Sequence, residues 1–185
     1  MLQVFKKGMV MNMGYIHVYC GNGKGKTTAA LGLALRAAGA GMRVHIIQFL
    51  KGSETSELNS LKLIPNISIC RCDKDYGFYI NMTDDNKNLI RENHNKNIKD
   101  AINHIKNEKI DVLILDEFLD AYNNDLMDKD ILDQILYLKN LEIEIVFTGR
   151  NPCDKIIKNA DYVSVIKKSK HPYDNGINAR KGIEY

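Results

Sequence analysis

The chain has 185 residues, 44% of them hydrophobic and 26% charged, with a formal net charge of +3. That length predicts one domain with a substantial core, and the mild positive balance favours anionic ligands without demanding nucleic acid. No apolar run approaches the roughly 20 residues of a membrane helix and the opening segment lacks a secretory pattern, so a cytoplasmic protein without a membrane partner is expected.

Residues Met1 to Met13 carry hydrophobics without a period and are expected to form an N-terminal arm ahead of a single domain spanning 14–185. Tyr15 to Cys20 alternates and predicts a short buried strand, and Lys26 to Ala38, rich in Ala and Leu, predicts a helix. Between them runs Gly21-Asn22-Gly23-Lys24-Gly25-Lys26-Thr27-Thr28. A glycine-rich turn feeding a helix lets a phosphate chain approach backbone N–H groups closely. Lys26 then places its ammonium on the phosphates, and the Thr27 hydroxyl binds Mg²⁺. The usual pattern has glycine where this chain has Cys20, so a tighter loop is expected. A glycine turn with incidental lysines is the plain alternative, and the strand-loop-helix context argues against it.

Gly39 and Gly41 stop the helix, and Arg43 to Phe49 predicts a second strand buried on both faces. It ends in Gln48-Phe49-Leu50-Lys51-Gly52. Ligands of parallel sheets sit at the C-terminal ends of strands, which makes Gln48 and Lys51 candidate contacts. A solvated turn is the alternative for Lys51. A short helix over Glu54 to Leu63 and a strand over Ile67 to Cys72 follow. Asp73 to Thr83 has no period yet carries Tyr76, Phe78, Tyr79, Ile80 and Met82, so it either folds onto the core or lines a pocket for a large flat ligand.

Asp84 to Glu108 predicts a long helix with Ile90, His94, Ile98, Ala101, Ile102 and Ile105 on one stripe, and with His94 and His104 as boundary residues. Asp111 to Leu115 is a continuous apolar strand that ends at Asp116-Glu117. Carboxylates at that point, downstream of a phosphate loop, are what is needed to hold Mg²⁺ opposite Thr27. An amphipathic helix over Asp128 to Asn140 leads into a strand over Glu142 to Thr148, followed by Gly149-Arg150-Asn151-Pro152. Arg150 thus sits at a strand terminus on the sheet edge that carries the loop. A short helix over Cys153 to Ala160, a last strand over Tyr162 to Ile166, and a basic tail from Lys167 complete the chain. Proline, glycine and aromatic punctuation make that tail an expected ordered lid. Cys20, Cys70, Cys72 and Cys153 include one C-x-C pair and no second pair at zinc spacing, so reduced thiols are expected. The alternation of strands and helices predicts an α/β, P-loop NTPase-like (RecA-like) fold, a mostly parallel sheet with helices on both faces.

Gly21 to Thr28, the Gln48-Phe49-x-Lys51-Gly52 turn, Gly77-Phe78, Leu115-Asp116-Glu117, Thr148-Gly149-Arg150-Asn151, Lys170-His171-Pro172-Tyr173 and Gly182-Ile183-Glu184-Tyr185 occur together and in order. In this the chain resembles the ATP:corrinoid adenosyltransferases of the CobA/BtuR/CobO type over Gly14 to Tyr185. The resemblance implies a cytoplasmic homodimer that moves the 5′-deoxyadenosyl group of ATP onto the cobalt of a cob(I) corrinoid, cobalamin or another, and releases triphosphate. It implies ATP held by Gly21, Asn22, Gly23, Lys24, Gly25, Lys26, Thr27 and Thr28 with Gln48, Lys51 and Arg150. The γ-phosphate then lies deepest in the loop, and Mg²⁺ rests on Thr27 with Glu117 and Asp116. It also implies an aromatic loop, matched by Phe78, that displaces the lower cobalt ligand, and an electron donor such as a flavoprotein. Where the family commonly has Trp two residues later, this chain has Ile80.

The inventory suits that chemistry. Cobalt in its +1 state is itself the nucleophile, so the protein must hold C5′ in line and stabilise the leaving triphosphate. Two other readings share the same residues: a P-loop nucleoside kinase or ATPase acting on the γ-phosphate, and a nucleotide-gated binding module using the basic tail on nucleic acid.

Overall fold

A computed structural model describes residues 14–52, 55–72, 79–107 and 110–185. At its centre lies a six-stranded sheet in the order β3-β2-β4-β5-β1-β6. The strands are β1 (Ile16–Cys20), β2 (Val44–Gln48), β3 (Ile67–Arg71), β4 (Val112–Asp116), β5 (Glu144–Gly149) and β6 (Tyr162–Val165). Every pairing is parallel, a stricter outcome than the mostly parallel sheet expected. The helices are α1 (Lys26–Gly39), α2 (Glu57–Leu61), α3 (Asp84–Asn107), α4 (Phe118–Asn123), α5 (Ile131–Tyr137) and α6 (Asp154–Asn159).

The apolar runs of β2 and β4 are buried at every position, as a parallel sheet covered on both faces requires. Neighbouring residues of one strand feed opposite layers. Ile46, Ile114 and Val146 join Ala30, Ala34 and Ala37 of α1 in one cluster. Ile47, Leu113, Leu115 and Phe147 join Ile98, Ile102, Phe118 and Ile135 in the other. This is the period of two of a strand, read out as two cores. The alanine face of α1 leaves little side chain between helix and sheet, which keeps the start of the helix close to the strand ends.

Several expectations shift. His94 is 0% exposed and lies inside the core instead of at its boundary, while His104 is exposed. Its Nδ1 donates to the Leu126 carbonyl at 2.9 Å, its ring meets Phe49 edge-on at 4.9 Å, and burial lowers its pKa to about 4. It is a neutral core residue. The helix expected over Asp128 to Asn140 shrinks to α5 plus a 3-10 turn at Leu138–Leu141, which ends at Glu142 with φ 62° ahead of the buried Ile143. Helix α4 was not anticipated; it is a short apolar piece that packs Phe118, Leu119 and Ala121 beneath the site. Cys20, buried, and Cys153, half-buried, are free thiols. The end of the aromatic loop, with a 3-10 turn at Tyr79–Asn81 and buried Met82, folds onto the core. Phe78, with the rest of 73–78, and the arm 1–13 lie outside the described residues.

Register positions the site. Gln48 on β2 stands beside Asp116 on β4, and Cys20 on β1 stands beside Gly149 on β5, so these strand ends finish at one level.

Candidate active site

Strand β1 ends at Cys20, which is buried and paired with Gly149 and Val165, and the loop Gly21 to Gly25 carries the chain to Lys26 at the start of α1. Two of its glycines are needed for different reasons. At Gly25 the backbone has φ 119° and an added Cβ meets nothing within 4 Å, so this residue faces open space where a ligand can approach the main chain. At Gly21, with φ 116°, a Cβ would lie 2.4 Å from the carbonyl oxygen of Ile166, so this glycine makes room for the exit of β6. The Lys26 side chain is 9% exposed and its ammonium donates to the Gly23 carbonyl at 3.1 Å.

Beneath the loop lies Asp116, 0% exposed at the end of β4. Its Oδ1 accepts hydrogen bonds from Thr27 Oγ1 at 2.9 Å and Thr148 Oγ1 at 2.7 Å. Its Oδ2 accepts from Lys51 Nζ at 2.8 Å and Gln48 Nε2 at 3.3 Å. Donors from α1, β5, β2 and the loop after β2 therefore converge on one carboxylate. A buried charge is tolerated only when paired and hydrogen-bonded, and here Lys51 supplies the countercharge.

Glu117 has the opposite character. It adopts φ 61°, and its N–H donates to Thr148 Oγ1 at 2.9 Å, so one hydroxyl bonds both members of the acidic pair. Its side chain lines the cleft above. Burial, and then the carboxylates of Asp116 and Asp120, push its pKa up to about 7. A cation beside it would relieve that crowding. Among the described residues no three His, Cys, Asp or Glu side chains form a metal cage. Mg²⁺ typically takes one or two protein oxygens and completes its shell with phosphate and water. The hydroxyl of Thr27 and the carboxylate of Glu117 are hard oxygen donors that fit this pattern.

The cleft has a volume of about 500 Å³, within the range of small-molecule sites. It brings together Lys24, Gly25, Lys26, Thr27 and Thr28 with Lys51 and Glu117, and residues 182–185 of the tail also line it. Other expected contacts are placed elsewhere. Gln48, at 1% exposed, lies under the floor against Asp116. Gly21, Asn22 and Arg150 line a separate pocket with Lys167 and Lys168, and Asn22 Oδ1 accepts from the Lys168 N–H at 2.9 Å. The Gly23 N–H bonds Ile166 O at 2.8 Å. Two contributors escaped the sequence reading. Thr148 belongs to the Thr148-Gly149-Arg150-Asn151 motif but had no role assigned to it. Asp120, which accepts the Arg150 N–H at 2.9 Å, sits on the unanticipated α4.

A parallel sheet with a glycine loop between β1 and α1, and an acidic pair at the end of a strand one removed from β1, defines the class: a P-loop α/β protein. Within that class the chain belongs to a particular family, since the model of the ATP:corrinoid adenosyltransferase BtuR/CobO/CobP family matches residues 12–185. The corrinoid adenosyltransferase of Escherichia coli K12 is 32% identical over 176 residues, covering 93% of this chain and 86% of that protein. The corrinoid adenosyltransferase of Pseudomonas aeruginosa is 28% identical over 173 residues, covering 93% and 84%. Corrinoid adenosyltransferase CobA of Salmonella typhimurium is 30% identical over 176 residues, covering 93% and 86%. Among the described residues no helix is long and apolar enough to cross a membrane.

Proposed function

We propose that this chain transfers the 5′-deoxyadenosyl group of ATP to the cobalt of a reduced corrinoid. The observation that carries the reading is the family match over 12–185, which takes in the loop, Glu117 and the tail that line one cleft. Cob(I) donates its electron pair to C5′, the C5′–O bond breaks, and that bond's pair leaves on the triphosphate oxygen while cobalt becomes an alkylated cob(III). The protein's work lies with the leaving group. Lys26 and Lys24 neutralise charge on the phosphates, and the backbone at Gly25 permits their close approach. Thr27 and Glu117 would hold Mg²⁺, which would supply further positive charge for the leaving triphosphate. Asp116 fixes the Thr27 hydroxyl and the Lys51 ammonium from below, so the donors are oriented before substrate arrives.

The resemblance supports further parts of this reading. Phe78 belongs to the corrin pocket and excludes the lower cobalt ligand; Gln48 acts through Asp116; Arg150 contributes an outer anion contact. The chain works as a cytoplasmic homodimer of a single domain, 14–185, with an arm at 1–13, and receives electrons from a donor such as a flavoprotein. A kinase or ATPase would use the same loop, and the products separate the two. With ATP, Mg²⁺ and chemically reduced corrinoid, phosphorus NMR is expected to show inorganic triphosphate forming one-to-one with a light-sensitive cobalt–carbon bond. ADP and orthophosphate formed without corrinoid would overturn the proposal.

A further inference from the structure

The tail lines the cleft together with the loop. The Gly182 N–H donates to the Tyr185 main-chain oxygen at 2.7 Å, which closes residues 182–185 into a turn, and Ser56 Oγ donates to that same oxygen at 3.0 Å. The Glu184 carboxylate accepts from the Arg180 N–H, Nε and Nη2 at 2.8, 3.2 and 3.1 Å, and it pairs with Lys24 of the loop at 3.3 Å. The tail is thereby tied both to the phosphate loop and to the segment entering α2.

The lining of the cleft is mixed in chemistry. The cations Lys24, Lys26 and Lys51 and the hydroxyls of Thr27 and Thr28 belong to the loop and floor. The apolar side chains that line it are Leu31, Ile183 and Tyr185. Ile183 is 56% exposed and Tyr185 47%, large apolar surfaces in a segment whose fixed contacts are otherwise polar. Glu57 and Glu184 also line the cleft, each paired with a cation, Lys51 at 4.0 Å and Lys24 at 3.3 Å. A flat base has faces that suit exposed aromatic and aliphatic side chains, and stacking of a base on an aromatic is worth roughly 1 to 3 kcal/mol.

We infer that Ile183 and Tyr185, held over the cleft by the Glu184 and Ser56 contacts, form with Leu31 the surface on which the nucleoside of ATP packs. This rests on the reading of the cleft as an ATP site. It makes the tail a substrate-binding element, since the loop alone recognises only phosphate.

Calorimetric titration of the full chain with Mg²⁺ and ATP, and separately with Mg²⁺ and inorganic triphosphate, tests the inference. The Ile183→Ala/Tyr185→Ala double variant is expected to weaken ATP binding by at least about tenfold, the equivalent of one stacking contact, and to leave triphosphate affinity unchanged. Tyr185→Phe is expected to keep wild-type ATP affinity. Unchanged ATP affinity in the double variant, or an equal loss for ATP and triphosphate, would overturn the inference, the second because it makes the segment a prop for the loop. A wild-type chain that binds ATP through this wall yet yields ADP would sink adenosyl transfer and leave the wall standing.

Discussion

Asp116 in the floor of the cleft is wholly buried and receives hydrogen bonds from four separate segments, whereas Glu184 in the roof is held by Arg180 of its own turn and by one lysine of the loop. The difference teaches how one site combines fixed and adjustable parts. In the floor, water is excluded and each partner left alone costs its full desolvation, so the geometry is set at folding. In the roof, solvent competes for every contact and screens the ion pairs, so the segment can yield to a ligand at small cost. Floor residues then hold catalytic groups in place, and roof residues grip the part of the substrate that must enter and leave.

The largest effect is expected at the floor. Asp116→Ala leaves Lys51, Thr27, Thr148 and Gln48 without their common acceptor, and is expected to cost about 3 to 5 kcal/mol in denaturant unfolding and to abolish turnover. A stability within error of wild type would remove the floor from its organising role. Thr148→Val, nearly the same shape, strips one donor from Asp116 and leaves the Glu117 N–H unpaired. It is expected to cost about 1 to 3 kcal/mol and to raise the Mg²⁺ concentration needed for ATP binding, with Thr148→Ser close to wild type. If the serine variant is as impaired as valine, packing and not the hydroxyl is what matters. The smallest change belongs to the roof, where Glu184→Gln is expected to leave the unfolding midpoint in place while trypsin cuts faster at Arg180 and Lys181. The Arg180 hydrogen bonds lower the Glu184 pKa to about 2 from an ordinary 4.5. The folded pKa is depressed, so the contact is complete above the ordinary value and is lost only as pH falls toward about 2; cleavage by an acid-active protease should stay slow down to about pH 4. Equal cleavage rates for the variant and wild type would show that other contacts hold the roof.

Much of this was readable from residue order alone because the signals are local. The strand, loop and helix from Ile16 to Gly39 announce themselves by alternation, glycine and alanine within one continuous stretch, and Asp116-Glu117 is marked by the apolar run before it. The family motifs carried the same reading across the chain. Tertiary structure decided what depends on contacts between distant segments. Thr27 and Asp116 are 89 positions apart and Thr148 and Asp116 are 32, so no local pattern could say that one carboxylate of the pair is consumed in the floor while its neighbour turns to the cleft. Arg150 shares a sheet edge with the loop, as strand order implied, yet the exit of β6 past Gly21 puts it on the loop's other side with Lys167 and Lys168. The tail's place over the cleft rests on Ser56, 129 positions from Tyr185, and on Lys24. Periodicity and motif report what a segment does with its neighbours in sequence; which buried group meets which is settled only when the sheet's parallel order brings its strand ends to one edge.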